Sequence, residues 1–289
     1  MIFAPRSWPS NPGFAITTRI FLAGLIRGVD EGGVPPSCDD DADFSAHVGK
    51  YMEVRLTVIG SSPAWPNPGS AQSGYLVEGP GKLLLDCGPG VLARLREDGV
   101  RPDAIAITHW HLDHCGDLIP WAWLNAYSPE AGQTRPELWL PPGGEQELET
   151  FTSFWGVPRM WERAFELREY APSKPFEAAG FTVEAVQLPH YAMQAFGFRV
   201  RDPERGRVLA YSGDSAPTDE LATLARGADL FVCEATLADG TTDGELRGHL
   251  TAEEALAAAD GRILLTHRPI ELPLPDGIPV AYDGFATDV

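Results

Sequence analysis

The chain has 289 residues, 44% of them hydrophobic and 22% charged, enough to bury a sizeable core in one or two domains. Its 22 basic against 41 acidic residues give a net charge of -19, which disfavours long nucleic acid as a partner but leaves room for a small anion drawn to bound cations. No apolar run approaches the roughly 20 residues of a membrane span, and Cys38, Cys87, Cys115 and Cys233 show no paired spacing, so they read as reduced thiols of a cytoplasmic protein.

Residues 1–51 are rich in proline and glycine and carry the acidic run Asp39-Asp40-Asp41. Their one apolar patch, residues 20–26, is too short for a signal-peptide core and lacks a small-residue cleavage site. The expectation is a disordered N-terminal extension, with a hydrolase domain over residues 52–289. Residues 53–60 alternate and predict a first strand. Residues 60–74 form a Gly/Ser/Pro loop, read equally well as the rim of a site or as a plain hairpin connection. Residues 75–78 and 82–86 predict a hairpin about Gly79-Pro80-Gly81, followed by a helix at residues 91–97. Asp86 caps that helix or braces a ligand loop, the cap being the simpler reading.

The strand predicted at residues 103–107 ends in Thr108-His109-Trp110-His111-Leu112-Asp113-His114, which holds three of the seven histidines. Imidazole nitrogen and carboxylate oxygen are zinc ligands. Four adjacent donors cannot wrap one ion tetrahedrally from so tight a loop. Two ions are therefore expected, His109 and His111 facing one and Asp113 and His114 the other.

A helix over residues 117–127 carries Trp121 and Trp123 on different faces. Core packing is the simpler use for them, and stacking of one on a nucleobase is the alternative. Residues 137–140 read as a strand, 144–155 as a helix, and 157–170 as helical or irregular. A strand over 181–188 leads to Pro189-His190, and residues 196–200 and 208–211 pair about the turn at 202–206. Ser212-Gly213-Asp214-Ser215 follows, then a helix at 218–225 and a strand at 229–233 running into Glu234. Thr251 and Glu254 are spaced as a capping box for a helix over 251–259, and a strand at 262–265 ends at Thr266-His267. His190, Asp214 and His267 thus share one trait: each directly follows an apolar strand.

The order His-x-His-x-Asp-His at residues 109–114 resembles the signature of the metallo-β-lactamase superfamily, and the resemblance covers residues 52–289. It implies an α/β fold, a four-layer αββα sandwich of two mixed sheets with helices outside. It also implies the full donor set: His109, His111 and His190 on one ion, Asp113, His114 and His267 on the other, and Asp214 bridging. Two Zn2+ ions are expected, with Mn2+ or Fe2+ as alternatives, about 3.5–4 Å apart and sharing a water acidified toward a pKa of about 7. β-Lactamases proper carry a cysteine ligand in the region of Asp214, and the oxygen-reducing di-iron branch has glutamate in place of His111, so zinc hydrolysis is favoured.

Cys233-Glu234-Ala235-Thr236 followed by Gly248-His249-Leu250-Thr251 is similar to the paired motifs of ribonuclease Z and its relatives. The resemblance makes His249 the group that protonates the leaving oxygen or steadies phosphoryl charge, oriented by Glu234, with Asp113 serving the nucleophile. Phe196-Gly197-Phe198-Arg199-Val200, Tyr211-Ser212-Gly213-Asp214 and Leu264-Leu265-Thr266-His267 resemble the branch that includes atypical cyclic-AMP phosphodiesterases. In the family this chain resembles, transfer-RNA-processing ribonuclease Z carries a protruding glycine-rich basic arm. Residues 131–179 hold Arg135, Arg159, Arg163, Arg168 and Lys174, at least as many acids, and no glycine-rich tip. The expected function is metal-dependent hydrolysis of a small anionic phosphodiester such as a cyclic nucleotide. Transfer-RNA 3′-end processing and a thioesterase or lactonase activity are the alternatives, and a homodimer is left open.

Overall fold

Side chains alternate across a strand, so strands that are apolar on both sides need cover on both faces. The computed structural model describes residues 53–157, 159–172 and 174–289, and shows how that cover is supplied. The extension expected at residues 1–51 lies outside the described residues.

One sheet has seven strands: β1 (Arg55–Gly60), β2 (Gly74–Glu78), β3 (Lys82–Leu85), β4 (Ala104–Ala106), β5 (Glu137–Leu140) and β6 (Glu166–Glu169), with β13 (Ala286–Asp288) beside β1. The other has six: β7 (Phe176–Ala178), β8 (Phe181–His190), β9 (Met193–Arg201), β10 (Val208–Tyr211), β11 (Leu230–Glu234) and β12 (Ile263–Thr266). Both mix parallel and antiparallel pairs. Leu83, Leu85, Ala104 and Ala106 point between the sheets and meet Val183, Phe196, Phe198 and Tyr211. The intervening Leu84 and Ile105 point outward, under α1 (Val91–Glu97), α2 (Leu112–Cys115), α3 (Leu118–Tyr127), α4 (Gly144–Ser153) and α5 (Met160–Ala164). On the far face Ala210, Phe231 and Leu265 pack against α6 (Asp219–Ala225) and α7 (Ala252–Ala258). The architecture is the αββα sandwich expected.

Three strands escape the sequence reading, and all three are edge strands: β6, β7 and β13. β6 falls in the stretch read as helical or irregular; its residues, Glu-Leu-Arg-Glu, are mostly exposed and show no apolar alternation. The other two are three residues long, too short for a period to show. Trp121 is buried in the core, while Trp123 is exposed and lies against Tyr127 with ring centroids 5.1 Å apart. Cys87, Cys115 and Cys233 are buried free thiols. Among the described residues no helix is long and apolar enough to cross a membrane.

Strand direction positions the site. β3 and β4 are parallel. β8 and β10 are each antiparallel to β9, and β11 and β12 are parallel to β10, so these four run alike. Their C-terminal ends carry or precede Asp86, the histidine-rich turn, His190, Asp214, Glu234 and His267. The loop at residues 60–74 is both the connection between paired strands β1 and β2 and part of the wall of a cavity at this edge.

The capping box forms as expected. Thr251 Oγ1 accepts the Glu254 N–H at 3.3 Å, and the Glu254 carboxylate accepts the Thr251 N–H at 2.9 Å. Arg247 pairs with Glu254 at 2.7 Å, so the same cap secures the chain that carries His249. Thr251→Ala is expected to lower stability by about 1 kcal/mol. Thermal unfolding should show this as a fall in Tm of about 2–4 °C, and an unchanged midpoint would show that the cap contributes nothing.

Candidate metal centre

The strand ends bring all seven predicted donors together. His109, His111, His190 and Asp214 offer one group of ligand atoms, and Asp113, His114, Asp214 and His267 a second; within each group all lie within 4.8 Å of one another. Asp214 belongs to both. All are buried except His111, which is partly exposed. His111 Nδ1 lies 3.2 Å from His109 Nε2 and 2.8 Å from His190 Nε2. His267 Nε2 is 3.0 Å from Asp113 Oδ2, and His114 Nε2 is 3.2 Å from Asp214 Oδ1.

Local contacts aim each ring. Asp86 accepts the Thr108 N–H at 2.8 Å, the Thr108 hydroxyl at 3.0 Å, the His114 Nδ1–H at 2.7 Å and the Tyr211 hydroxyl at 2.7 Å. That leaves His114 Nε2 facing the donor group, the arrangement by which an outer carboxylate orients a ligand ring. The helix-cap reading of Asp86 is therefore overturned: the N-cap of α1 is Gly90, and the carboxylate that accepts a first-turn N–H, that of Leu92 at 2.8 Å, belongs to Asp117. His190 Nδ1 donates to the Gly248 carbonyl at 2.7 Å, and His267 Nδ1 bonds the Thr236 hydroxyl at 2.8 Å. The loop expected at residues 108–114 is in its second half one helical turn, α2, which carries Asp113 and His114. Gly213 has φ of 57°, and a Cβ there would sit 2.9 Å from the Phe196 carbonyl oxygen, so only glycine lets the chain swing Asp214 inward.

Electrostatics divide the donors. Burial, reinforced by His114, holds His109 well below the usual histidine range, and burial also lowers His111 and His190. Neutral imidazoles are the form that binds a cation. His114 moves the other way: its burial is outweighed by the carboxylates of Asp214, Asp86 and Asp113, which raise it well above the usual range. Against their own burial, Asp113 and Asp214 are held low by His114. His114 Nε2 and Asp214 Oδ1 are buried and lack hydrogen-bond partners, although most such atoms in proteins have one. Both are aimed at shared space. Neutral His109, His111 and His190, with ionised Asp113 and Asp214 and with Asp214 common to both groups, suit a pair of borderline divalent ions.

Beside the second group, Glu234 Oε1 accepts the His249 Nδ1–H at 3.1 Å and the Ser215 N–H at 2.8 Å, and its other oxygen accepts the Thr236 hydroxyl at 2.7 Å. Burial opposes the charged form of His249, but Glu234 and then Asp214 push it up to about 9. His249 lines a cavity of about 780 Å³ together with His111, Asp113, Asp214 and His267. Trp65, Leu112 and Tyr191 contribute to the apolar part of its wall, with Ala64, Pro89 and Leu237. Asp243 supports His249 from behind, accepting the N–H groups of Gly248 and His249 at 2.7 and 3.0 Å and the Tyr191 hydroxyl at 2.7 Å. Trp65, Tyr191 and Asp243 are absent from the sequence reading. The one signal available was that Trp65 stands in the rim loop and Tyr191 beside His190. Neither Trp121 nor Trp123 lines this cavity, so the base-stacking alternative for that helix falls.

A sandwich of two mixed sheets with such a donor set at the strand ends defines a metallo-β-lactamase-type hydrolase. Residues 81–267 match the family described as the beta-lactamase superfamily domain, and the chain belongs to it. It is 32% identical over 228 residues to an uncharacterized protein of Mycobacterium tuberculosis, Rv1339, covering 76% of this chain and 83% of that one. It is 28% identical over 222 residues to the probable metallo-hydrolase YhfI of Bacillus subtilis, covering 75% and 87%. The crystal structure of YhfI matches with a TM-score of 0.69 at 24% identity, over 82% of this chain and 100% of that one. Ribonuclease Z of Mycobacterium bovis is 27% identical over 243 residues, covering 74% and 85%. The ribonuclease-Z-like character expected from the paired motifs is therefore present across the family comparison.

Asp86→Asn keeps the size of the side chain but removes the acceptor that orients His114. It is expected to weaken metal binding about 10–100-fold. Competition with a chelator, followed by metal analysis, measures this; unchanged affinity would show that Asp86 has no orienting role.

Proposed function

We propose that this chain is a two-metal phosphodiesterase acting on a small nucleotide, such as a cyclic nucleotide. The observation that carries the reading is the Glu234–His249 pair, hydrogen-bonded at 3.1 Å, with His249 lining one cavity together with members of the donor groups. A thioesterase or lactonase leaves that pair with no phosphate to serve. His109, His111 and His190 would hold one ion, Asp113, His114 and His267 the other, and Asp214 both. Divalent ions held there, zinc by preference, supply electrophilic stabilisation of phosphoryl oxygens and acidify water.

The protein's own groups do the rest. Asp113 orients the attacking water for in-line displacement at phosphorus. Glu234 fixes the His249 ring through Nδ1, which turns Nε2 to the departing oxygen, where it delivers a proton. Backbone N–H groups of Ser215 and Leu250 bond the Glu234 carboxylate at 2.8 and 3.3 Å and hold it in place.

Two observations favour a small substrate over transfer RNA. The net charge is -19. Residues 131–179, in place of a basic arm, supply β5, α4, α5, β6 and β7 to the sandwich. The relationship to ribonuclease Z keeps transfer-RNA processing as the rival reading, one that requires strongly salt-dependent binding.

A substrate panel with the metal-loaded protein decides among these: a cyclic nucleotide, bis-p-nitrophenyl phosphate, a precursor transfer RNA and a thioester. Turnover of the first two and negligible cleavage of the others is expected; preference for the thioester or the RNA would overturn the reading. His249→Ala is expected to keep its metal content while kcat falls about 10²–10⁴-fold. A variant with wild-type turnover would show that His249 is misassigned.

A further inference from the structure

Trp65 has no part in the reaction as written, yet it stands in the wall of the same cavity as His249 and Asp214. Its side chain is 54% exposed, and Leu112 nearby is 59% exposed. An exposed tryptophan on a loose loop is ordinary, but this loop is tied on every side. Pro63, Pro66 and Pro68 restrict the backbone, and Pro66 confines Trp65 itself to extended conformations. Gln72 Nε2 donates to the carbonyls of Pro63 and Ala64 at 3.1 and 2.6 Å, directly before the indole. Asn67 donates to the Arg268 carbonyl and accepts the Ile270 N–H, each at 2.9 Å, which joins the loop to the chain leaving His267. Asp283 grips its two ends, accepting the hydroxyls of Ser61 and Ser70 at 3.0 and 2.6 Å and the Ala71 N–H at 2.7 Å. Arg94 completes that clamp at 3.0 Å from Asp283.

A large flat ring held open by a rigid frame is pre-organised for a partner, because little ordering entropy remains to be lost on contact. The chemistry of the cavity defines that partner. Its lining combines donor groups and His249, suited to a phosphoryl group, with Trp65, Leu112 and Tyr191, which offer apolar and aromatic surface.

We propose that Trp65 is the stacking platform for the nucleobase of the substrate. This rests on the phosphodiesterase reading and deepens it: the preferred esters are nucleotides, and simple alkyl phosphates are poor ligands. The platform reads the face of a base and not its edge. Asn67 spends both its amide nitrogen and its oxygen, and Gln72 its amide nitrogen, on bonds within the loop and to its neighbour, so neither offers an unengaged donor–acceptor pair for a base edge. Stacking of this kind tolerates any base.

The test is titration calorimetry on the full-length, metal-loaded protein with adenosine 5′-monophosphate, guanosine 5′-monophosphate and ribose 5-phosphate. The wild type should bind both nucleotides about 5- to 150-fold more tightly than ribose 5-phosphate. Trp65→Ala should bring that ratio to within about threefold, with the affinity for ribose 5-phosphate and the metal content unchanged. Trp65→Phe should keep most of the preference. A Trp65→Ala protein that still favours nucleotides, or a wild type that never did, overturns the platform. Those results leave the reaction class standing if the substrate panel is positive. Nucleotide preference without cleavage of any phosphodiester overturns the reaction class and leaves the platform.

Discussion

One buried carboxylate joins the two halves of this molecule. Asp86 leaves the end of β3 in the first sheet, grips Thr108 and His114 on the chain after β4, and accepts the hydroxyl of Tyr211 from β10 in the second sheet. A buried carboxylate without partners is costly, whereas one with several donors makes strong, mutually reinforcing bonds. The distance between the sheets at this edge, the aim of the His114 ring and the position of the histidine-rich turn therefore depend on one another. Tyr75 reinforces the junction through its hydroxyl, 2.7 Å from Thr266 Oγ1 beside His267.

Backbone strain gathers at the same place. Of the five non-glycine residues with positive φ among those described, three are Asp86, Tyr191 and His267. Each belongs to the donor set or touches it. Such conformations cost roughly 1–3 kcal/mol and persist where surrounding bonds over-determine them. Here those bonds are the four donors on Asp86, the Tyr191–Asp243 contact and the Thr236–His267 pair. The edge of the sandwich thus trades local stability for fixed geometry.

Much of this was legible before any coordinates. The cluster at residues 109–114 is dense enough to stand out from a chain with seven histidines, and His190, Asp214 and His267 share the simple trait of following an apolar run. Which donors group together was not legible from spacing, because grouping depends on which strand ends meet in space, and strand direction reverses between β9 and its two neighbours. Interior strands and the buried edge strand β12 announced themselves through apolar runs, while the edge strands β6, β7 and β13, exposed or only three residues long, left no period to read. Asp86 was ambiguous in kind: a carboxylate just before a helix looks the same on paper whether it caps that helix or reaches across the molecule. Trp65 was hidden by its setting, since a single aromatic residue among prolines carries no pattern.

The clamp made by Asp283 spans more than two hundred residues of sequence to reach Ser61, Ser70 and Ala71. During synthesis the histidine turn and Asp86 leave the ribosome well ahead of His267 and the clamp. For that interval the nascent chain displays an incomplete set of cation donors beside an unframed indole. Proteins grow from the N-terminus, so the donor set is completed only once His267 has emerged, and the loop is framed only once Asp283 has followed it.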